Sequence, residues 1–220
     1  MDIHEEKIIL GIWCTIIIFI LAYEIAFAYM RNQEQNDLII VLSHSKEKFK
    51  ENKYYQSICP YTSKKCETFT LPYHDLPRPF EIWNLSGMES IVEMSNKKIE
   101  EIKKKHNYTR LILSGISRGG YLAAMHQDAD IYLLFSPVVK WSELKEFNSD
   151  GPDIDITNLQ EKRVFGFVND KDTRINGNVV VDFFNKICNK CLDSRHTFIV
   201  NEGTEHTVPI NIFKRAAVWL

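Results

Sequence analysis

Residues 115–119 read Gly-Ile-Ser-Arg-Gly, a serine with a glycine two positions away on either side. A hydroxyl in that setting becomes a usable nucleophile when the chain turns sharply enough to lift it clear of its surroundings. G-x-S-x-G set between a strand and a helix is the pattern that does so. Arg110 to Leu113 is a short apolar run of buried-strand type, and Gly120-Tyr121-Leu122-Ala123-Ala124 reads as the first turns of a helix. The flanking glycines are needed because a Cβ there would collide with the neighbouring strand or helix. The helix turns its N–H groups and positive dipole end toward charge developing at the serine. The plainer alternative is a glycine turn in which Ser117 only caps that helix.

A serine nucleophile needs a base, and histidine is the side chain whose pKa suits that task near neutrality. Of the seven histidines, His4 precedes an apolar segment, His106 ends a charged helix, His126 lies on the helix after Ser117, and His196 opens the last strand. His206, in Asn201-Glu202-Gly203-Thr204-Glu205-His206, follows that strand in a polar loop and is the candidate base. The imidazole in turn needs a carboxylate to orient it. The segment after the strand Arg163 to Val168 carries two, Asp170 and Asp172, one of which can be an ordinary solvated turn residue.

The elements that must position these groups alternate from residue 37 onward. Apolar, unalternating runs predict strands at Asp37–Leu42, around Thr68–Leu71, at Arg110–Leu113, Ile131–Phe135, Arg163–Val168 and His196–Val200. Helical spacing predicts amphipathic helices over Gly87–His106, Asn178–Ile187 and Pro209–Leu220. Such βα alternation predicts an α/β fold with a mostly parallel central sheet flanked by helices. Reactive groups in such sheets collect at the carboxyl ends of the strands, where Ser117, both aspartates and His206 all fall.

The chain has 220 residues, 45% hydrophobic and 25% charged, with a formal net charge of −2. That balance gives no reason to expect a nucleic-acid partner; the lysines of 97–105 are interleaved with glutamates and read as a solvated helix face. Residues 1–36 differ from the rest. Ile8 to Met30 is apolar apart from Glu24 and a few small or neutral positions, and at about 1.5 Å per residue it is long enough for a hydrocarbon core of about 30 Å. It is read as a single-pass membrane anchor with the 37–220 domain extracytoplasmic. A cleaved signal ending at Ala26-Phe27-Ala28, which would leave the protein secreted, and a buried helix of the domain are the alternatives. Cys59 with Cys66 and Cys188 with Cys191 fit two local disulfides, an oxidising-compartment feature; a four-thiolate zinc site and four reduced thiols are the rivals.

Several motifs resemble one family. Ser-Gly-Ile-Ser-Arg-Gly-Gly-Tyr-Leu-Ala at 114–123 is similar to the nucleophile elbow of the α/β-hydrolase superfamily, in its prolyl-oligopeptidase-like and dienelactone-hydrolase-like esterase branches. Phe135-Ser136-Pro137-Val138-Val139 resembles the segment those branches carry after the next strand, and Asp172-Thr173-Arg174-Ile175 resembles their D-x-R-V acid motif. The resemblance covers about residues 37–220. It implies the α/β-hydrolase fold with a small or absent cap, and Ser117, Asp172 and His206 as nucleophile, acid and base. It implies an oxyanion hole from the Arg118 amide and from the loop after the first strand, at His44 and Ser45. That loop reads Ser43-His44-Ser45, without the glycine the family commonly has there.

The activity implied is hydrolysis of a carboxylic ester, thioester or amide through an acyl-enzyme, acting on a small-molecule or acyl substrate and needing no cofactor. The departure at Ser43–Ser45 supports the competing expectation of a membrane-tethered module that keeps the fold with little or no turnover.

Overall fold

The computed structural model describes residues 16–23, 37–42, 58, 66–69, 85–140, 152–188 and 195–220. The chain divides into two compact units, Met1–Gln35 and Asn36–Leu220. Within the first, residues 16–23 are helical and exposed; the remainder of the segment read as an anchor lies outside the described residues. Among the described residues, no helix is long and apolar enough to cross a membrane.

Among the described residues, the second unit is built on a six-stranded sheet. Its strands are β1 (Asp37–Leu42), β2 (Cys66–Phe69), β3 (Arg110–Ile116), β4 (Ile131–Phe135), β5 (Arg163–Asn169) and β6 (His196–Asn201). They lie in the order β2-β1-β3-β4-β5-β6, and every neighbouring pair is parallel. The helices are α1 (Leu85–Lys103), α2 (Arg118–Met125), α3 (Ile156–Glu161), α4 (Gly177–Ile187) and α5 (Ile210–Trp219).

The inner strands are largely apolar because both faces of the sheet are covered there. All six residues of β1 and all five of β4 are buried. Alternate side chains divide between two cores, as the two-residue period of a strand requires. Leu38, Ile40, Leu111, Leu113, Tyr132, Leu134 and Val164 pack with Ile91 and Ile99 of α1, Tyr121 and Leu122 of α2, and Val180 and Phe184 of α4. Ile39, Val41, Ile112, Leu133, Phe135, Phe165 and Phe167 point the other way, onto Ile212, Phe213 and Ala216 of α5. At Gly166 of β5 a Cβ would lie 2.6 Å from both Phe184 and Phe198, so the missing side chain is what admits their ring stack at 4.6 Å.

The chain moves from β1 outward to β2, then crosses to β3 on the other side of β1 and steps steadily to β6. The direction of winding therefore reverses between β1 and β3, and the crevice beyond their carboxyl ends is where a sheet of this kind binds ligands. At the opposite, amino-terminal end, the same two strands are joined by an ion pair. Arg110 donates through Nε to Asp37 Oδ1 at 2.9 Å and through a terminal nitrogen to Oδ2, with Asp37 fully buried. A paired charge buried this deeply costs about 3–5 kcal/mol to break from one side.

Candidate functional site

The path from β3 to α2 passes through a single residue. Ser117 has φ 54° and ψ −119°, a backbone state that side chains other than glycine rarely adopt. Its surroundings hold it there. The Ser117 N–H donates to Phe135 O at 3.0 Å, and its carbonyl accepts from Val138 N at 3.0 Å and from Tyr121 N at 3.1 Å. The two motif glycines meet at the base of the turn: a Cβ on Gly115 would lie 2.2 Å from the Gly119 carbonyl carbon and oxygen. Strand and helix can approach so closely only because both positions lack side chains. Ser117 stands at the N-cap position of α2, yet its side chain makes no capping hydrogen bond. The hydroxyl is not spent on starting the helix, which removes the plain reading of the motif.

Asp172 and His206 come together across two loops. His206 Nδ1 lies 2.7 Å from Asp172 Oδ2, with both side chains almost wholly shielded, at 7% and 0% exposure. A carboxylate accepts only, so Nδ1 carries the proton and Nε2 is left with the lone pair of a base. Asp172 Oδ1 accepts from the backbone N–H groups of Arg174 at 2.9 Å and Ile175 at 3.2 Å. These two backbone donors fix the carboxylate on the side away from the imidazole. Asp170 does something else: its Oδ1 accepts the Gly203 N–H at 3.2 Å, tying one loop to the other. Of the two aspartates, Asp172 is the one that reaches His206.

The sheet register sets these groups along one edge. Ile116, Phe135, Phe167 and Ile199 are paired in a row across β3, β4, β5 and β6. Ser117, Asp172 and His206 all follow that row, at the carboxyl ends of β3, β5 and β6. Between them, β4 ends in Ser136, whose φ of 42° and N–H bond to Phe167 O turn the chain away. Pro137 then packs over α2, close enough that a Cβ on Gly120 would lie 2.9 Å from its own Cβ. Arg118, whose amide is one expected oxyanion donor, is the first residue of α2. His44 and Ser45, the other expected donors, lie outside the described residues.

Two other described histidines, His126 and His196, have structural surroundings. His126 is 4% exposed, its Nδ1 within 3.1 Å of Asn96 Oδ1, and burial pushes its pKa down, with Lys103 adding to the effect. Glu100, His126 and Asp128 bring their ligand atoms within 4.8 Å of one another. The Lys103 ammonium already sits there, 2.5 Å from Glu100 and 4.0 Å from Asp128, so the cluster carries its own cation. His196 points its Nε2 toward Leu159 O at 3.4 Å. Cys188 is disulfide-bonded and so is not a thiolate ligand, which weighs against the zinc alternative. Cys59 and Cys191 lie outside the described residues.

No protein-family model and no curated protein matches the sequence. Solved structures do match in fold. The esterase Pf2001 of Pyrococcus furiosus is 11% identical, with 84% of this chain and 80% of that one covered at a TM-score of 0.60. Est1E of Butyrivibrio proteoclasticus is 14% identical, with 86% and 88% covered at 0.55. A protein of Xanthomonas campestris assigned to the α/β-hydrolase superfamily is 14% identical, with 81% and 95% covered at 0.54. The chain has the α/β-hydrolase fold.

Proposed function

We propose that the protein is a serine hydrolase that cleaves a carboxylic ester, thioester or amide through an acyl-enzyme on Ser117. The observation that carries this reading is the 2.7 Å hydrogen bond from His206 to buried Asp172, on the same strand-end rim as Ser117 in its strained turn. In the reaction His206 Nε2 takes the Ser117 proton as the oxygen attacks the substrate carbonyl. The Arg118 amide and one from the His44–Ser45 loop hold the oxyanion. Collapse of the tetrahedral intermediate expels the leaving group, which takes the proton back from His206, and water then releases the acyl group by the same route. Each oxyanion donor in such a site contributes about 2.7–4 kcal/mol. The esterase neighbours are compatible with this chemistry, and residues 8–30 would tether it to a membrane.

Treatment with a fluorophosphonate probe should label the folded protein at Ser117, and Ser117→Ala should abolish labelling. Absence of label on the folded wild type would decide for the second reading, a tethered binding module with the same fold. The glycine-free Ser43-His44-Ser45 segment is what favours that reading.

A further inference from the structure

Three residues before Asp172, at the end of β5, Asn169 is 4% exposed and has its whole amide engaged. Its Nδ2 donates to Glu205 O at 2.6 Å and to Thr207 O at 3.2 Å. Those are the carbonyls immediately before and after His206. Its Oδ1 accepts from Asn201 Nδ2 at 3.0 Å. Carbonyl oxygens only accept, so the partners themselves fix which end of the amide faces which way.

We propose that Asn169 is a positioning residue that fixes the catalytic histidine by gripping the main chain on both sides of it. The proposal rests on the hydrolase reading of Ser117, Asp172 and His206. Asn169 reaches the acid as well, since its backbone carbonyl accepts the Asp172 N–H at 3.1 Å. One residue therefore braces the carboxylate with its main chain and the imidazole with its side chain. The ladder between the two loops runs through Asp170 N to Asn201 O at 3.0 Å, Lys171 N to Gly203 O at 3.1 Å and Thr173 N to Thr204 O at 3.2 Å. Beyond Thr204 the loop turns toward His206, and there the Asn169 amide takes over from backbone pairing. Gly203 permits the closure: a Cβ on it would lie 3.2 Å from Asn169 Oδ1. Only an asparagine-like group offers two donors on one nitrogen with an acceptor behind. Aspartate would set oxygen against two carbonyl oxygens, and alanine would leave both unpaired.

The test uses the full chain and two readouts. Hydrolysis of a short-chain p-nitrophenyl ester should lose about tenfold to a hundredfold in kcat in Asn169→Ala, with KM within about threefold of wild type. The His206 Nδ1 proton, followed by NMR in protein labelled with nitrogen-15 at histidine, should be sharp in wild type and exchange-broadened in the variant. Undiminished kcat together with a sharp Nδ1 signal in Asn169→Ala would overturn the proposal. Should Asn169→Ala not fold, Asn169→Ser, which cannot donate to both carbonyls, decides: a broadened His206 Nδ1 signal supports the clamp, and an unaltered one overturns it. If the wild type shows no Ser117-dependent turnover, the hydrolase reading fails while the proton signal still decides whether Asn169 holds His206.

Discussion

At the scale of single residues, the two aspartates after β5 differ only in what they face. Asp172 accepts from two backbone amides and from His206, whereas Asp170 accepts from Gly203. Asp172→Asn keeps the shape but lets the imidazole take the wrong tautomer, and should lower kcat by about 10⁴-fold. Asp170→Asn keeps an oxygen for the Gly203 amide and should stay within about threefold of wild type. Steady-state hydrolysis of the same p-nitrophenyl ester by both variants makes the comparison. The strand-end placement of Ser117 and His206 was legible in the sequence, because each follows an apolar run in a polar or glycine-rich segment. Asn169 was not. An asparagine at the end of a strand reads as an ordinary turn residue, and its use depends on where a loop more than thirty positions later crosses it. Ser136 was hidden for a related reason, since its positive φ answers to a backbone bond with Phe167 rather than to its own side chain.

At the scale of elements, the tightest constraint is the contact of β3 with α2. A Gly115→Ala methyl would be driven to 2.2 Å from the Gly119 backbone, where no flexible atom can yield. The substitution should cost about 3 kcal/mol of stability, read as a lowered urea midpoint by circular dichroism. The strands could be recognised in the sequence because burial on both faces makes them continuous apolar runs. Helix α3 escaped because it has six residues and buries one, Leu159, too little for a helical period to emerge. Asp155 starts it, accepting from the Thr157 and Asn158 amides. β2 runs from Cys66 to Phe69, starting and ending two residues earlier than the run Thr68 to Leu71 indicates. Its pairing with β1 sets those ends, and pairing is a property of two segments rather than one.

At the scale of the whole 36–220 unit, parallel pairing was legible from composition while the strand order was not. Order depends on which side of β1 each crossover returns, and nothing local to β2 or β3 encodes that choice. The order has a functional side. β3 lies inside the sheet with partners on both flanks, while β6, among the described residues, is paired with β5 alone, and its Val200 is 49% exposed. The loop that carries His206 follows this outer strand. Segments with less burial open at lower free energy than the core to which they attach. Mild urea should therefore abolish ester hydrolysis at concentrations below the main transition seen by far-ultraviolet circular dichroism.

The margin of the sheet thus acts as the fuse of the molecule. Loosening it would strand the proton acceptor while leaving the nucleophile seated, so that the first sign of stress would be a silent but still structured protein.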